Sequence, residues 1–255
     1  MSSAVAEKPT LWHIPVSHYN EKVRWALDFK GVEHERKAPP APFHMVVSLA
    51  RTRGEHKTFP MMRINGRSIG DSTAIIAALE EAYPQPPLYP SDPADRLRAL
   101  ELEDFFDEEL GPHLRLLAWH YLRQDPERFR NFAEQAAPGP LRSRRFSGWA
   151  ADTFLKARYH VADDDRATIA RDKVAGAMDR LEEELGNREY LVGDTFTVAD
   201  LTAAAMFYPL VLPLEGPRQI ADPPAGFEAF RTPFKDRRGY RWIEETFAKH
   251  RKRPS

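Results

Sequence analysis

The chain has 255 residues, 42% apolar and 29% charged, the balance of a folded globular protein with one large domain or two ordinary ones. Lys and Arg number 37 against 38 Asp and Glu, so a net charge of −1 offers no general field for nucleic acid or for a membrane surface. No run approaches the ~20 apolar residues that span a bilayer, and the absence of cysteine excludes disulfides, thiolate metal sites and a cysteine nucleophile. The opening MSSAVAEKPT lacks the apolar centre of a signal peptide, so residues 1–9 read as a disordered lead and the expected location is cytoplasmic.

In chain order, Thr10 to Ile14 is a short apolar run ended by Pro15 and predicts a strand. Val23, Ala26, Leu27 and Lys30 follow at helical spacing, closed by Gly31 as a C-terminal cap. Val32 to Lys37 alternates like a second strand, and Pro39, Pro40 and Pro42 then forbid regular structure until a helical segment at Phe43 to Arg51. Met61 to Ile64 and Arg67 to Ile69 flank Asn65-Gly66, a hairpin signal because both turn residues tolerate positive φ. Asp71-Ser72 can cap a helix in which Ile75, Ile76, Leu79 and Tyr83 share one face.

The texture changes across the proline-rich stretch from Pro84 to Pro93, and the following sequence holds no convincing strand. Helices are expected at Ala94 to Arg123, Phe146 to Val161, Ile169 to Leu185, Thr197 to Leu210 and Arg237 to Lys249. The basic end His250 to Arg253 reads as a solvated helix terminus. The expected division is therefore 10–87 for a first domain, 88–93 for a linker and 94–255 for an all-helical second domain. Thr197 and Asp200 have capping-box spacing, with Phe196 and Leu201 placed as the accompanying staple, which makes them structural.

Four features in order resemble the glutathione S-transferase family: LWHIPVSHYNEKVRWAL, Phe59-Pro60 before a strand, Gly70-Asp71-Ser72 opening a helix, and LVGDTFTVADLTAA far downstream. The resemblance runs from about Thr10 to Ala205, is weaker over Gln124 to Gly148, and points to the serine-type, bacterial-like cytosolic members. It implies an α+β thioredoxin-like domain of order βαβαββα with a mixed four-stranded sheet, followed by an all-α domain. It also implies glutathione as co-substrate, an electrophilic small molecule as partner and a homodimer.

The residues carry a chemistry of their own. A helix N-terminus has unpaired N–H groups and about half a positive charge, so it draws an anion. Ser17, His18, Tyr19 and Asn20 stand where the first helix begins. Ser17 aligns with the family's catalytic hydroxyl or thiol, which stabilises the glutathione thiolate; its alternative role is a plain helix cap. Tyr19 and Asn20 are secondary candidates, and His18 replaces the proline usual after the catalytic residue.

Phe59-Pro60 resembles the family's cis-proline step, which offers backbone groups to a docked peptide, against an ordinary edge-strand proline. Asp71 and Ser72 match the pair that holds the γ-glutamyl end, against a bare capping role; Lys57 is placed for the glycyl carboxylate, against a solvated surface lysine. Phe106, His113, Leu116, Leu117, Trp119 and His120 form a stripe on the helix after Pro93, either core or acceptor-pocket lining. No histidine has metal-ligand spacing, so no metal is expected.

These features predict an enzyme that ionises the glutathione thiol for attack on an electrophilic carbon. Without cysteine it cannot be a thiol reductase working through an enzyme thiol. Two alternatives stay open: a non-catalytic binding or assembly module on the same fold, and a transferase using another low-molecular-weight thiol.

Overall fold

The computed structural model describes residues 8–40, 43–136, 144–159, 161–217 and 222–251. Strand β1 (Thr10–Trp12) leads through a short loop into helix α1 (His18–Phe29), strand β2 (Glu35–Lys37) and helix α2 (Phe43–Arg51). Strands β3 (Met61–Ile64) and β4 (Arg67–Gly70) precede helix α3 (Ser72–Ala82). The sheet order is β2-β1-β3-β4, with β1 parallel to β2 and antiparallel to β3, and β3 antiparallel to β4. This is the mixed four-stranded sheet of a thioredoxin-like domain.

Period-two alternation places the two faces. Leu11, Met62 and Ile64 join the main core with α1 and α3, while Trp12 and Met61 form a second cluster with Phe59, against which Val47 of α2 packs. Helix α1 ends in a Schellman motif, Val32 N–H bonding the Leu27 carbonyl and Gly31 N–H bonding Asp28, with Gly31 at φ +63°. That closure consumes Val32, so β2 starts three residues later than the alternation suggests. At the hairpin, Asn65 and Gly66 both hold positive φ, the type I′ geometry that matches the strand twist.

Beyond α3 the described residues hold helices only. They are α4 (Pro93–Phe105), α5 (Gly111–Gln124), α6 (Pro126–Ala136), α7 (Arg144–Tyr159), α8 (Asp164–Leu185), α9 (Val198–Val211), α10 (Ala225–Arg231) and α11 (Arg238–His250). Helix α9 is buried all round and forms the spine against which α1, α4, α5 and α11 pack. Trp25 of α1 is fully buried there, its ring against Phe247 and Phe196 and its indole N–H donating to the His250 carbonyl. No helix among the described residues is long and apolar enough to cross a membrane.

The single long helix expected over Ala94 to Arg123 is interrupted. A π-helical turn, Phe106–Leu110, separates α4 from α5. Pro112 explains it: proline lacks an N–H and its ring collides with the carbonyl four residues back, so the backbone widens ahead of it. Gly111 N–H accordingly bonds the Phe106 carbonyl, five residues back. The Asp107 carbonyl, whose partner in that register would be residue 112, is left for another donor. Helix α6, the short α10 and a 3-10 turn at Thr232–Phe234 are additions that the sequence reading did not anticipate.

Candidate active site

Ser17 is the N-cap of α1, with extended backbone dihedrals. Its carbonyl accepts from Glu21 N–H at 2.9 Å and its N–H bonds the Ile14 carbonyl at 3.1 Å, but its hydroxyl makes no capping hydrogen bond. The side chain lines a cleft of about 560 Å³ instead. The plain-cap alternative therefore loses its main support, because the group a cap requires is not used as one.

The loop that carries Ser17 is held from below. Arg24 donates to the carbonyls of Ile14 and Pro15 and to His13 Nδ1, while Asn20 Oδ1 accepts the Ile14 N–H at 3.1 Å. Asn20 Nδ2 donates to the Phe59 carbonyl at 3.2 Å. Asn20, a secondary candidate from the sequence, is fully buried with both ends of its amide engaged. It ties the Ser17 loop to the Phe59-Pro60 loop and does not line the cleft.

Tyr19 lines the cleft but spends its hydroxyl elsewhere. The phenol donates to the Asp107 carbonyl at 2.7 Å, the acceptor freed by the π-turn. Burial holds the phenol above its usual pKa, the carboxylates of Asp107, Glu108 and Asp71 adding to it against the charge of Arg115. Gly111 makes this approach possible, since a Cβ there would lie 2.3 Å from the Tyr19 oxygen. Tyr19, the other secondary candidate, thus lines the cleft with its hydroxyl engaged by the Asp107 carbonyl.

His18 follows Ser17 as the first residue of α1. It is 4% exposed, and its Nε2 donates to the Gly111 carbonyl at 3.0 Å. Burial, then the neighbouring Arg115 charge, lowers its pKa from 6.5 to about 3. His13 falls from 6.5 to about 4 by burial and then by Arg24. Both folded-state values lie below the unfolded one, so below pH ~6.5 the unfolded chain binds protons that the folded chain refuses. Stability should therefore decline as pH falls from about 6.5 toward about 4, with a slope of up to ~1.4 kcal/mol per pH unit from His18. Urea midpoints measured across that window should flatten in a His18→Gln variant, and an unchanged slope would remove His18 as a contributor.

The second wall comes from the β3 edge and the α3 N-terminus. Phe59-Pro60 is cis. The Ser48 hydroxyl lies 2.9 Å from both the His56 and Thr58 carbonyl oxygens and holds the preceding loop, with Lys57 exposed at the rim of the cleft. Asp71 caps α3, its Oδ1 accepting from Thr73 and Ala74 N–H at 3.0 and 3.1 Å. Asp71 sits at φ +70°, a costly conformation for a non-glycine residue that is retained beside the cleft. Ser72 is 3% exposed and lines the same space.

A buried charge cluster fixes that helix start. Lys22 Nζ meets Glu103 at 2.7 Å and Asp107 at 2.5 Å, and both Lys22 and Asp107 hydrogen-bond Thr73 Oγ1. Burial works against the Lys22 charge, but the two carboxylates more than offset it and raise its pKa. Burial raises the Glu103 carboxyl, with Lys22 opposing. The cluster locks α1, the π-turn and the first turn of α3 into one frame beside Asp71 and Ser72.

The cleft thus brings together Ser17, Tyr19, Lys57, Phe59, Pro60, Asp71 and Ser72 from the first ninety residues. Its other half comes from α5, α6 and α7: Arg115, Trp119, Leu122, Phe132, Arg158 and Tyr159. Of the expected stripe on the helix after Pro93, Trp119 reaches the cleft, while Phe106, Leu117 and His120 are buried. Arg115, His56 and Tyr159 were not singled out from the sequence. Thr197 and Asp200 lie away from the cleft and form the expected capping box at the start of α9.

The cleft lies between a thioredoxin-like domain and a helical one, a polar wall from the first facing an aromatic wall from the second. Comparison with known proteins agrees. Residues 11–87 match the glutathione S-transferase N-terminal domain and residues 149–216 the C-terminal domain, and the chain belongs to the glutathione S-transferase family.

Similar proteins include a probable maleylacetoacetate isomerase 1 of Drosophila melanogaster, 33% identical over 113 residues, covering 42% of this chain and 46% of that protein. A probable glutathione S-transferase of Nicotiana tabacum is 23% identical over 192 residues, covering 75% of this chain and 65% of that protein. The matches thus span about half to two thirds of those relatives' own lengths. The glutathione transferase GSTFuA3 of Phanerochaete chrysosporium superposes with a TM-score of 0.64 at 17% identity, covering 98% of this chain and 100% of that one, which is a likeness of fold.

Proposed function

We propose that the chain is a serine-type glutathione-dependent transferase. In this reading glutathione lies along the Phe59-Pro60 loop. Its γ-glutamyl ammonium meets Asp71, its γ-glutamyl carboxylate meets Ser72 and the α3 N-terminus, and its glycyl end lies near Lys57. The sulfur rests at the start of α1, where the Ser17 hydroxyl donates to the thiolate and the helix terminus adds partial positive charge. The thiolate attacks an electrophilic carbon held against α5–α7. The observation that carries this reading is the Ser17 hydroxyl, which is not used in capping and lines the same cleft as Pro60, Asp71 and Ser72.

Isomerisation through reversible addition of the same thiolate is a second reading, favoured by the similarity to a probable maleylacetoacetate isomerase. A homodimer accompanies either reading, as the family resemblance implies. Calorimetric titration with glutathione, followed by turnover across halogenated, conjugated-carbonyl and peroxide electrophiles, tests the assignment. Saturable binding with turnover is expected. Binding without any turnover would make the chain a non-catalytic module, and turnover supported by a different small thiol alone would replace the co-substrate.

A further inference from the structure

The cleft carries a charge imbalance. Lys57, Arg115, Arg128 and Arg158 line the cleft against Asp71 and Asp222. Asp71 belongs to the α3 cap, and Arg128 is paired with Asp222 at 2.5 Å and with Asp125 at 2.8 Å. Among the described residues, Arg115 and Arg158 on the α5–α7 side pair with no carboxylate.

Arg115 is the better anchored. Its guanidinium carbon lies 5.4 Å from the Tyr19 ring centroid and 5.0 Å from that of Tyr159, held between two aromatic faces. Its Nε is buried with no hydrogen-bond partner. Of the residues outside the described ones, Glu7 is the sole acidic side chain, so the segments 137–143 and 218–221 bring no carboxylate to it. A cation held between two rings, lining a cleft and with its Nε unpartnered among the described residues, is what a planar anion on an incoming molecule completes.

We propose that Arg115 makes the acceptor subsite selective for electrophiles that carry a carboxylate on an aromatic or unsaturated body. This rests on the reading of the cleft as a glutathione transferase site. Trp119, Leu122 and Phe132 supply the apolar wall for the body, and Arg115 fixes the end that does not react. Glutathione's own carboxylates are assigned to the opposite wall, at Ser72 and Lys57.

A matched reaction is aromatic substitution on 4-fluoro-3-nitrobenzoate. The thiolate sulfur bonds to the carbon bearing fluorine, the C–F bond breaks with its electron pair leaving as fluoride, and the thiol proton goes to solvent. Calorimetry is run with glutathione, with the product S-(4-carboxy-2-nitrophenyl)glutathione, and with the methyl ester of that product. The unmodified protein should bind the carboxylate conjugate roughly 10- to 100-fold more tightly than the ester, the range expected for a charge-assisted pair. Arg115→Met should bring the ratio to within about threefold of unity while glutathione still binds, and Arg115→Lys should keep part of the preference by retaining charge without the fork.

Equal affinity of the unmodified protein for both conjugates, with glutathione bound, overturns this inference alone. A loss in Arg115→Met that is as large for glutathione as for the carboxylate conjugate also overturns it and reassigns Arg115 to the tripeptide. Should glutathione itself fail to bind, the transferase reading falls. A preference for 3-nitrobenzoate over its methyl ester then sustains the anion subsite, and no preference removes that as well.

Discussion

Replacing Ser17 by Ala should lower the rate of glutathione transfer roughly 10- to 1,000-fold, the loss expected when one charge-assisted hydrogen bond to the reacting thiolate is removed. The deficit should grow at lower pH, because a bound thiol with a higher pKa is less ionised there. It should fall on kcat and kcat/KM together, with the affinity for glutathione close to that of the unmodified protein, since the proposed pose holds the tripeptide mainly through the opposite wall. Stability should barely change, because the Ser17 hydroxyl makes no capping bond in the folded chain. That combination separates a catalytic hydroxyl from a helix cap, whose loss would cost about 1 kcal/mol of stability and leave the chemistry intact. Stopped-flow rates with a halogenated nitrobenzene, set beside urea unfolding of the same variant, check both halves.

Replacing Asp200 by Ala should produce the largest loss of stability. Asp200 is fully buried, and its Oδ1 accepts from Leu191 N–H at 2.8 Å. Its Oδ2 accepts from Thr197 N–H at 2.8 Å and from the Thr197 hydroxyl at 2.9 Å. Burial pushes the carboxyl up to about 6, opposed by these donors. The substitution strands three donors at the head of the helix that forms the spine of the second domain. Each stranded donor costs about 1–3 kcal/mol, and with partial relaxation the total should be roughly 3–5 kcal/mol. Asp200→Asn keeps the volume but turns an amide donor toward one of those N–H groups, so it should recover only part of the loss. Urea denaturation midpoints read the order directly. A loss below ~1 kcal/mol would reduce the capping box to an ordinary helix cap.

Much of this architecture is legible in the residues because local chemistry and tertiary structure agree. The Asn65-Gly66 turn, the Gly31 closure and the Thr197 to Asp200 box depend on backbone demands that few residue types meet, and each forms where its residues stand. The π-turn was less legible. Pro112 stands past the middle of the helix expected from Ala94 to Arg123 and was not read as a break, and the way the chain uses it depends on Tyr19, more than ninety residues earlier, arriving to take the released carbonyl. Helix α6 carried a readable pattern in Phe129, Phe132, Ala133 and Ala136, masked by the polar and proline-rich sequence around it.

The site divides along the same line. Ser17, Asp71 and Ser72 stand at helix starts, which sequence marks well, and they reach one cleft with Pro60. Asn20 reads as a polar residue near a helix terminus, and only the packed loops show its amide joining Ile14 to Phe59. Arg115 is one arginine among many on amphipathic helices. Its distinction is what surrounds it, two aromatic rings and, among the described residues, no acceptor for its Nε, and such an environment exists only once α1, α5 and α7 are assembled.

The most direct measurement is the thiol pKa of glutathione bound to this protein, followed by thiolate ultraviolet absorbance as pH is varied. Ser17 and the α1 terminus together should bring it at least one unit below the ~8.5 of a free thiol, and Ser17→Ala should return most of that shift. A bound thiol that titrates like the free one, in both proteins, would contradict thiolate stabilisation at Ser17 and leave the chain a glutathione S-transferase fold without the family's chemistry at that residue.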